Sequence, residues 1–119
     1  MDGDAFHADC QGRDILDHLT SRWAVLILSA LHEGEHRFSE LHRRIEGISE
    51  KMLSQTLRTL LRDGLLERTV APATPPQVSY ALTPLGAALT QPLLGLLNGI
   101  RENAGALFAA QHQHDRASR

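Results

Sequence analysis

The 119-residue chain is short of several things, and each shortage narrows its function. It has one cysteine, Cys10, which excludes an intramolecular disulfide and makes the cytoplasm the expected compartment. Aromatic residues are 4% of the chain, so Leu, Ile, Val and Ala must build the core. The longest unbroken apolar run, Trp23 to Leu28, is far below the ~20 residues that span a bilayer, and no membrane is expected. The acidic N-terminus MDGDAFHADC has no apolar stretch of the kind a signal peptide needs. There is no Ser/His/Asp set, phosphate-cradling glycine loop or carboxylate pair, and Cys10 has no base partner beside it. Neither an enzyme nor a cofactor is therefore expected.

Basic charge is scarce as well. Lys and Arg number 12 against 14 Asp and Glu, for a net charge of −2, and Lys51 is the sole lysine. Nucleic-acid binders usually carry a basic face, so the distribution matters more than the sum. Between His36 and Val70 stand seven basic and five acidic residues, whereas the first nine residues hold three acids and no Lys or Arg.

An apolar content of 42% suffices for one small core. Ile15, Leu16 and Leu19 predict a short first helix. Ser21 is placed to cap a second, WAVLILSALHE, which is apolar nearly all round; it is expected to be the most buried element, with Trp23 as a core anchor and Gly34 at its end. After a short strand at His36–Phe38, Ser39 is expected to cap a helix through Ile45. Glu46-Gly47 then turns the chain, and Ser49 caps a helix that ends at Asp63-Gly64. Leu66–Val70 and Gln77–Leu82 alternate as half-buried strands do, around a proline-rich tip without Arg or Lys. Thr83-Pro84 opens a long helix with Thr as N-cap. Its apolar residues, Leu85, Leu89, Leu93, Leu96, Ile100 and Leu107, form one stripe, and Pro92 is expected to kink or split it. Such a stripe on the terminal helix of a small domain points to a partner, most simply a second copy of the chain.

The fold class expected is mainly α with a small β-wing (α+β): a winged helix-turn-helix with additional N- and C-terminal dimerisation helices. Residues 1–9 read as a flexible arm and 10–111 as the domain, with the helix-turn-helix at 39–63, the wing at 66–82 and the C-terminal helix or helices at 84–111. Residues 112–119 read as a flexible tail.

The helix after Ser49 is the candidate reading element. At about 100° per residue, Leu53, Leu57, Leu60 and Leu61 share one face. The opposite face carries Lys51, Met52, Gln55, Arg58, Thr59 and Arg62, without a carboxylate. Gln can read adenine, and Arg or Lys guanine, through paired hydrogen bonds in the major groove. Lys51, Met52 and Gln55 lie nearest the N-terminus and are assigned to bases. Ser49, Arg58 and Arg62, with Arg43 and Arg44 on the preceding helix, are assigned to the DNA backbone, and Arg37 and Ser39 are placed on the same DNA-binding surface. A plain solvated face is the alternative. The wing and the arginines of the preceding helix favour double-stranded DNA.

Several motifs together carry a resemblance. Cys10 is followed thirteen residues later by Trp23, then come RFSEL (Arg37–Leu41), GISEKMLSQTLRTLLRDGLLER (Gly47–Arg68) and YALTPLGAAL (Tyr80–Leu89). In order and spacing, over about residues 10–100, the chain resembles the HxlR-type family of bacterial winged-helix transcription regulators. The resemblance implies a homodimer with N- and C-terminal helices at its interface, here Ile15, Leu16, Leu19, Leu89, Leu93, Leu96, Ile100 and Leu107. It implies a wing that reaches the minor groove, and a palindromic operator whose half-sites lie roughly 34 Å apart. It also implies a cysteine near the N-terminus that responds to oxidants or electrophiles, a place held by Cys10. A helix N-terminus and Arg13 would favour its thiolate, and Asp9 would oppose it. A resolving thiol must come from the other subunit or a small molecule.

Three alternatives stay open: a buried, inert Cys10; control by a small apolar or aromatic effector instead of a thiol; and a protein-interaction module in place of a DNA-binding one. The last would be expected to expose apolar residues on the reading face, where only Met52 is apolar. His7, Cys10, His112, His114 and Asp115 would form a metal site only if the two termini met in a dimer, and their loose spacing leaves no metal expected.

Overall fold

The computed structural model describes residues 3–8 and 10–118. In chain order the elements are α1 (Gln11–Leu19), α2 (Arg22–His32), β1 (His36–Arg37), α3 (Phe38–Arg44), α4 (Glu50–Arg62), β2 (Leu66–Ala71), β3 (Gln77–Leu82), α5 (Pro84–Glu102) and α6 (Ala104–Ala117). β1, β3 and β2, in that order, form an antiparallel sheet. The β2–β3 hairpin runs in register from Leu66 opposite Leu82 to Ala71 opposite Gln77. This is a helix-turn-helix with a wing, as the order of helical and alternating segments predicts.

Local chemistry sets most helix ends. The Ser21 hydroxyl accepts the N–H of Ala24, that of Ser49 accepts Met52 and that of Thr83 accepts Gly86, each satisfying a donor that the first turn leaves open. Gly64 takes φ +76° just past the end of α4, where a side chain would be strained.

Two ends differ from expectation. α3 begins one residue before Ser39, with Arg37 as N-cap; the Glu40 carboxylate reaches back to accept the Arg37 N–H at 2.8 Å. Ser39 therefore lies inside the first turn and is not the cap. Pro92 does not split the last helix, because both it and Ala88, whose carbonyl loses its partner, are exposed and water can take the place of the missing N–H. The break comes at Asn103, whose side-chain amide donates to the Gly99 carbonyl at 2.7 Å. Beyond it α6 runs through Ala117, so the segment expected as a tail is helical to that point, and it is exposed from Gly105 onward.

The core lies between α2, α3, α4 and the base of the wing. Ala24, Ile27, Leu28 and Leu31 of α2 meet Leu41, Leu53, Leu57 and Leu60, closed off by Leu65 and Leu66. Trp23 packs on the edge of this cluster, half-buried, with the Arg22 guanidinium 4.3 Å above its ring. The start of α5 is joined to the end of α4: the Thr83 N–H donates to the Leu65 carbonyl at 3.0 Å and its hydroxyl to that of Gly64 at 2.7 Å.

Candidate nucleic-acid interface

α4 points one face into the core and the other outward. Leu53, Leu57 and Leu60 are buried, while Lys51, Met52, Gln55, Arg58 and Arg62 are all exposed. Leu61, expected on the buried face, is only half-buried. Thr56, which the leucine pattern passes over, is buried, and its hydroxyl donates to the Met52 carbonyl at 2.8 Å. The outer surface of the preceding segment is open too: Arg37, Ser39, Arg43, Arg44 and Ser49 are exposed. All ten residues assigned to DNA are thus accessible.

They are not equally available. Arg44 is held by Glu33, Nε to Oε1 at 3.1 Å and Nη2 to Oε2 at 3.0 Å. The hydrogen-bonded Arg44 guanidinium keeps the Glu33 carboxyl below its ordinary value, and Glu33 in turn raises Arg44. Arg37 faces Glu40 at 3.4 Å; the backbone N–H of Arg37, then its side chain, lower the Glu40 carboxyl. The Ser49 hydroxyl is engaged as a cap. Arg43, Lys51, Arg58 and Arg62 have no ion-pair partner among the described residues. Three of the four, Lys51, Arg58 and Arg62, share the outer face of α4 with Gln55 and Met52, the arrangement a polyanion with readable base edges would meet.

The structure adds neighbours that no sequence pattern signalled. Asp17, His18 and Ser21, from α1 and its turn into α2, share a hollow with Met52, Gln55, Arg58 and Thr59. His18 Nδ1 lies 2.7 Å from Asp63 Oδ2, so the end of α1 is bonded to the C-cap of α4. These residues are 45 positions apart, beyond any periodicity.

Cys10 is the N-cap of α1, half-buried, with its Sγ accepting the Gly12 N–H at 3.2 Å. The Arg13 guanidinium, expected to favour the thiolate, donates to the Ala5 and Phe6 carbonyls, each at 2.9 Å, and ties down the segment before the helix. A Cβ on Gly12 would stand 2.7 Å from the Gly3 carbonyl, so this segment lies close over the cap. Asp9 is outside the described residues. No group of three or more His, Cys, Asp or Glu among the described residues is placed to hold a metal ion within one chain.

The residues assigned to the dimer interface divide. Leu19, Leu89 and Leu93 pack against the chain's own core. Ile15 is half-buried, and Leu16, Leu96, Ile100 and Leu107 are exposed. Phe108, absent from the expected stripe, is 59% exposed on α6. Gly95, Gly99, Ala106 and Ala110 line a shallow apolar hollow between Leu96, Ile100 and Leu107, across the α5–α6 bend. No helix among the described residues is long and apolar enough to cross a membrane.

Comparison with known proteins agrees with this architecture. A family model described as HxlR-like helix-turn-helix matches residues 18–106. YtfH of Escherichia coli K12, an uncharacterized HTH-type transcriptional regulator, is 46% identical over 112 residues, 94% of this chain and 89% of its own length. The solved structure of ytfH from Salmonella typhimurium is 45% identical, with a TM-score of 0.88 over 93% of this chain and 99% of that one. The structure of diamide-treated YodB from B. subtilis is 34% identical, with a TM-score of 0.68 over 81% of this chain and 96% of that one.

Proposed function

The chain belongs to the HxlR-like helix-turn-helix family of transcription regulators, and on that premise we propose that it is a homodimer that reads a palindromic operator with α4, its affinity set by the state of Cys10. The observation that carries the reading is the outer face of α4, where Gln55 and Met52 sit among Lys51, Arg58 and Arg62, cations with no ion-pair partner among the described residues. A protein-docking version of the fold would present apolar side chains there. Lys51, Met52 and Gln55 reach base edges, and Arg43, Arg58 and Arg62 contact phosphates. A two-fold dimer then addresses half-sites roughly 34 Å apart.

The exposed face of Leu96, Ile100 and Leu107 supports the dimer. An apolar surface spread over two helices is seldom left to water, and a second copy covers it symmetrically. Ile100→Asp is expected to halve the mass seen by light scattering and to abolish operator binding.

Cys10 supports the switch. Its sulfur caps α1, so a covalent change at Sγ removes that cap, and α1 is bonded to the end of α4 through His18 and Asp63. Two Cys10 thiols, one per subunit, lose two electrons and two protons to diamide and become a disulfide, and diamide becomes the hydrazine. The related YodB has been crystallised after the same treatment. Cys10 would otherwise pair with a low-molecular-weight thiol.

Fluorescence anisotropy on DNA from upstream of the chain's own gene tests both parts. Tight binding by reduced protein that diamide changes, and that Cys10→Ser renders indifferent to diamide, is the expected result. Binding unchanged by diamide removes Cys10 from control. No preference for upstream DNA over scrambled DNA, in either state, contradicts an operator there. Control by a small effector is a second reading, favoured by a cavity behind the DNA-facing surface.

A further inference from the structure

That cavity lies between α2, the end of α3 and the second half of α5, and holds about 550 Å3. Small-molecule sites run to about 300–1,000 Å3 and pair an apolar body with a few converging polar groups. Leu26, Ala30, Ile45, Leu94 and Leu97 make the apolar part here. Leu94, Leu97, Asn98 and Arg101 recur at the three-and-four spacing of one helix face, so α5 offers the cavity a stripe apolar at one end and hydrogen-bond donating at the other.

Four charged side chains and His32 stand among its lining residues. Glu33 and Arg44 close on each other through two hydrogen bonds and leave no net charge. Arg101 makes no hydrogen bond or ion pair among the described residues, and neither does the Asn98 side chain. The two are one turn apart on α5, with a guanidinium fork and an amide NH2 on the same side. Guanidinium donors bind a carboxylate through short charge-assisted bonds. Glu46, on the wall formed by the turn after α3, has no partner among the described residues and opposes a second negative group.

We propose that this cavity binds a small apolar acid, its hydrocarbon or aromatic body on the leucines and its single carboxylate on Arg101 and Asn98, as the effector of the regulator. The proposal rests on the effector-controlled reading above. Its location links ligand to DNA. One wall is α5, whose neighbouring face carries Leu96 and Ile100 of the dimer surface. The other is Arg44, Ile45 and Glu46, which lead directly into the cap of α4. A ligand held by both walls braces the recognition helix against the dimer helix, so it shifts operator affinity by as much as it prefers one setting of the two.

Isothermal titration of the 119-residue chain with 1-naphthoate tests the site without DNA. One saturable site per chain is expected, with 1-naphthamide, the uncharged analogue of the same shape, binding at least tenfold more weakly. Arg101→Gln should erase that difference and Arg101→Lys keep most of it. Ser29→Leu, which extends an apolar side chain into the cavity, should weaken both ligands at least tenfold; unchanged circular dichroism and melting exclude misfolding as the cause. Absence of saturable binding, equal binding of the two ligands, or Arg101→Gln and Ser29→Leu that bind as the parent does, each overturns the site. Operator affinity with and without 1-naphthoate then reads the coupling: a shift in the parent that Ser29→Leu lacks is expected, and proven binding without a shift overturns the effector role alone. Failure to bind any operator would strike the regulator reading and leave the titration result intact.

Discussion

His18 and Asp63 form a side-chain bridge, 2.7 Å from Nδ1 to Oδ2, between α1, which Cys10 caps, and the C-terminal end of α4. Asp63 is 5% exposed and His18 27%. α1 buries no residue fully, so this bond and the packing of Leu19 are its main attachments to the domain.

The bridge is unequal in what its two ends lose. His18→Ala leaves a buried carboxylate without its donor, at a cost of about 1–3 kcal/mol. Asp63→Asn keeps an oxygen to accept from His18 and should cost less than about 1 kcal/mol. Urea unfolding of the two variants gives the order directly, and an equal loss from both would show that the bond itself is not what orders α1.

The DNA-facing residues should separate into two kinds. Gln55→Ala is expected to lose about 1–3 kcal/mol on the operator and little on scrambled DNA, as a base contact does. Arg58→Ala should weaken both and reduce the slope of log affinity against log salt by about one.

Arg44→Ala should alter affinity less than Arg43→Ala, because Glu33 already holds the Arg44 guanidinium. The pair also sets a pH dependence. Glu33 titrates below the usual carboxylate range, so the interaction is complete above that range and is lost as pH falls through the lowered value. Anisotropy between pH 7 and 5 should show the Arg44→Ala to Arg43→Ala ratio unchanged, and Glu33→Gln should raise affinity at low salt by releasing Arg44.

Gly86 is required by a close approach. A Cβ there would lie 2.0 Å from the Leu65 carbonyl oxygen. Backbone must move to admit it, so Gly86→Ala is expected to cost about 1–3 kcal/mol and to lower the melting temperature. A melting curve like the parent's would mean that α5 can slide relative to the end of α4.

Much of this protein was legible in the sequence because it depends on neighbours along the chain. Ser21, Ser49 and Thr83-Pro84 cap their own first turns, Gly64 takes the positive φ at a helix end, and the leucines of α4 sort one face from the other by helical period alone. The exposed row from Lys51 to Arg62 follows from the same arithmetic. The tertiary structure decided what depends on residues distant in sequence. It selected Arg44, and not Arg43, for neutralisation by Glu33. It joined His18 to Asp63 and brought Asn98 and Arg101 of α5 to one cavity with Leu26 and Ala30 of α2. Within one apolar stripe it turned Leu89 and Leu93 to the chain's own core and left Leu96 and Ile100 outward, because α5 crosses α2 and then runs past the edge of the core. Periodicity states that a face is apolar; only the packing of distant elements states what that face meets.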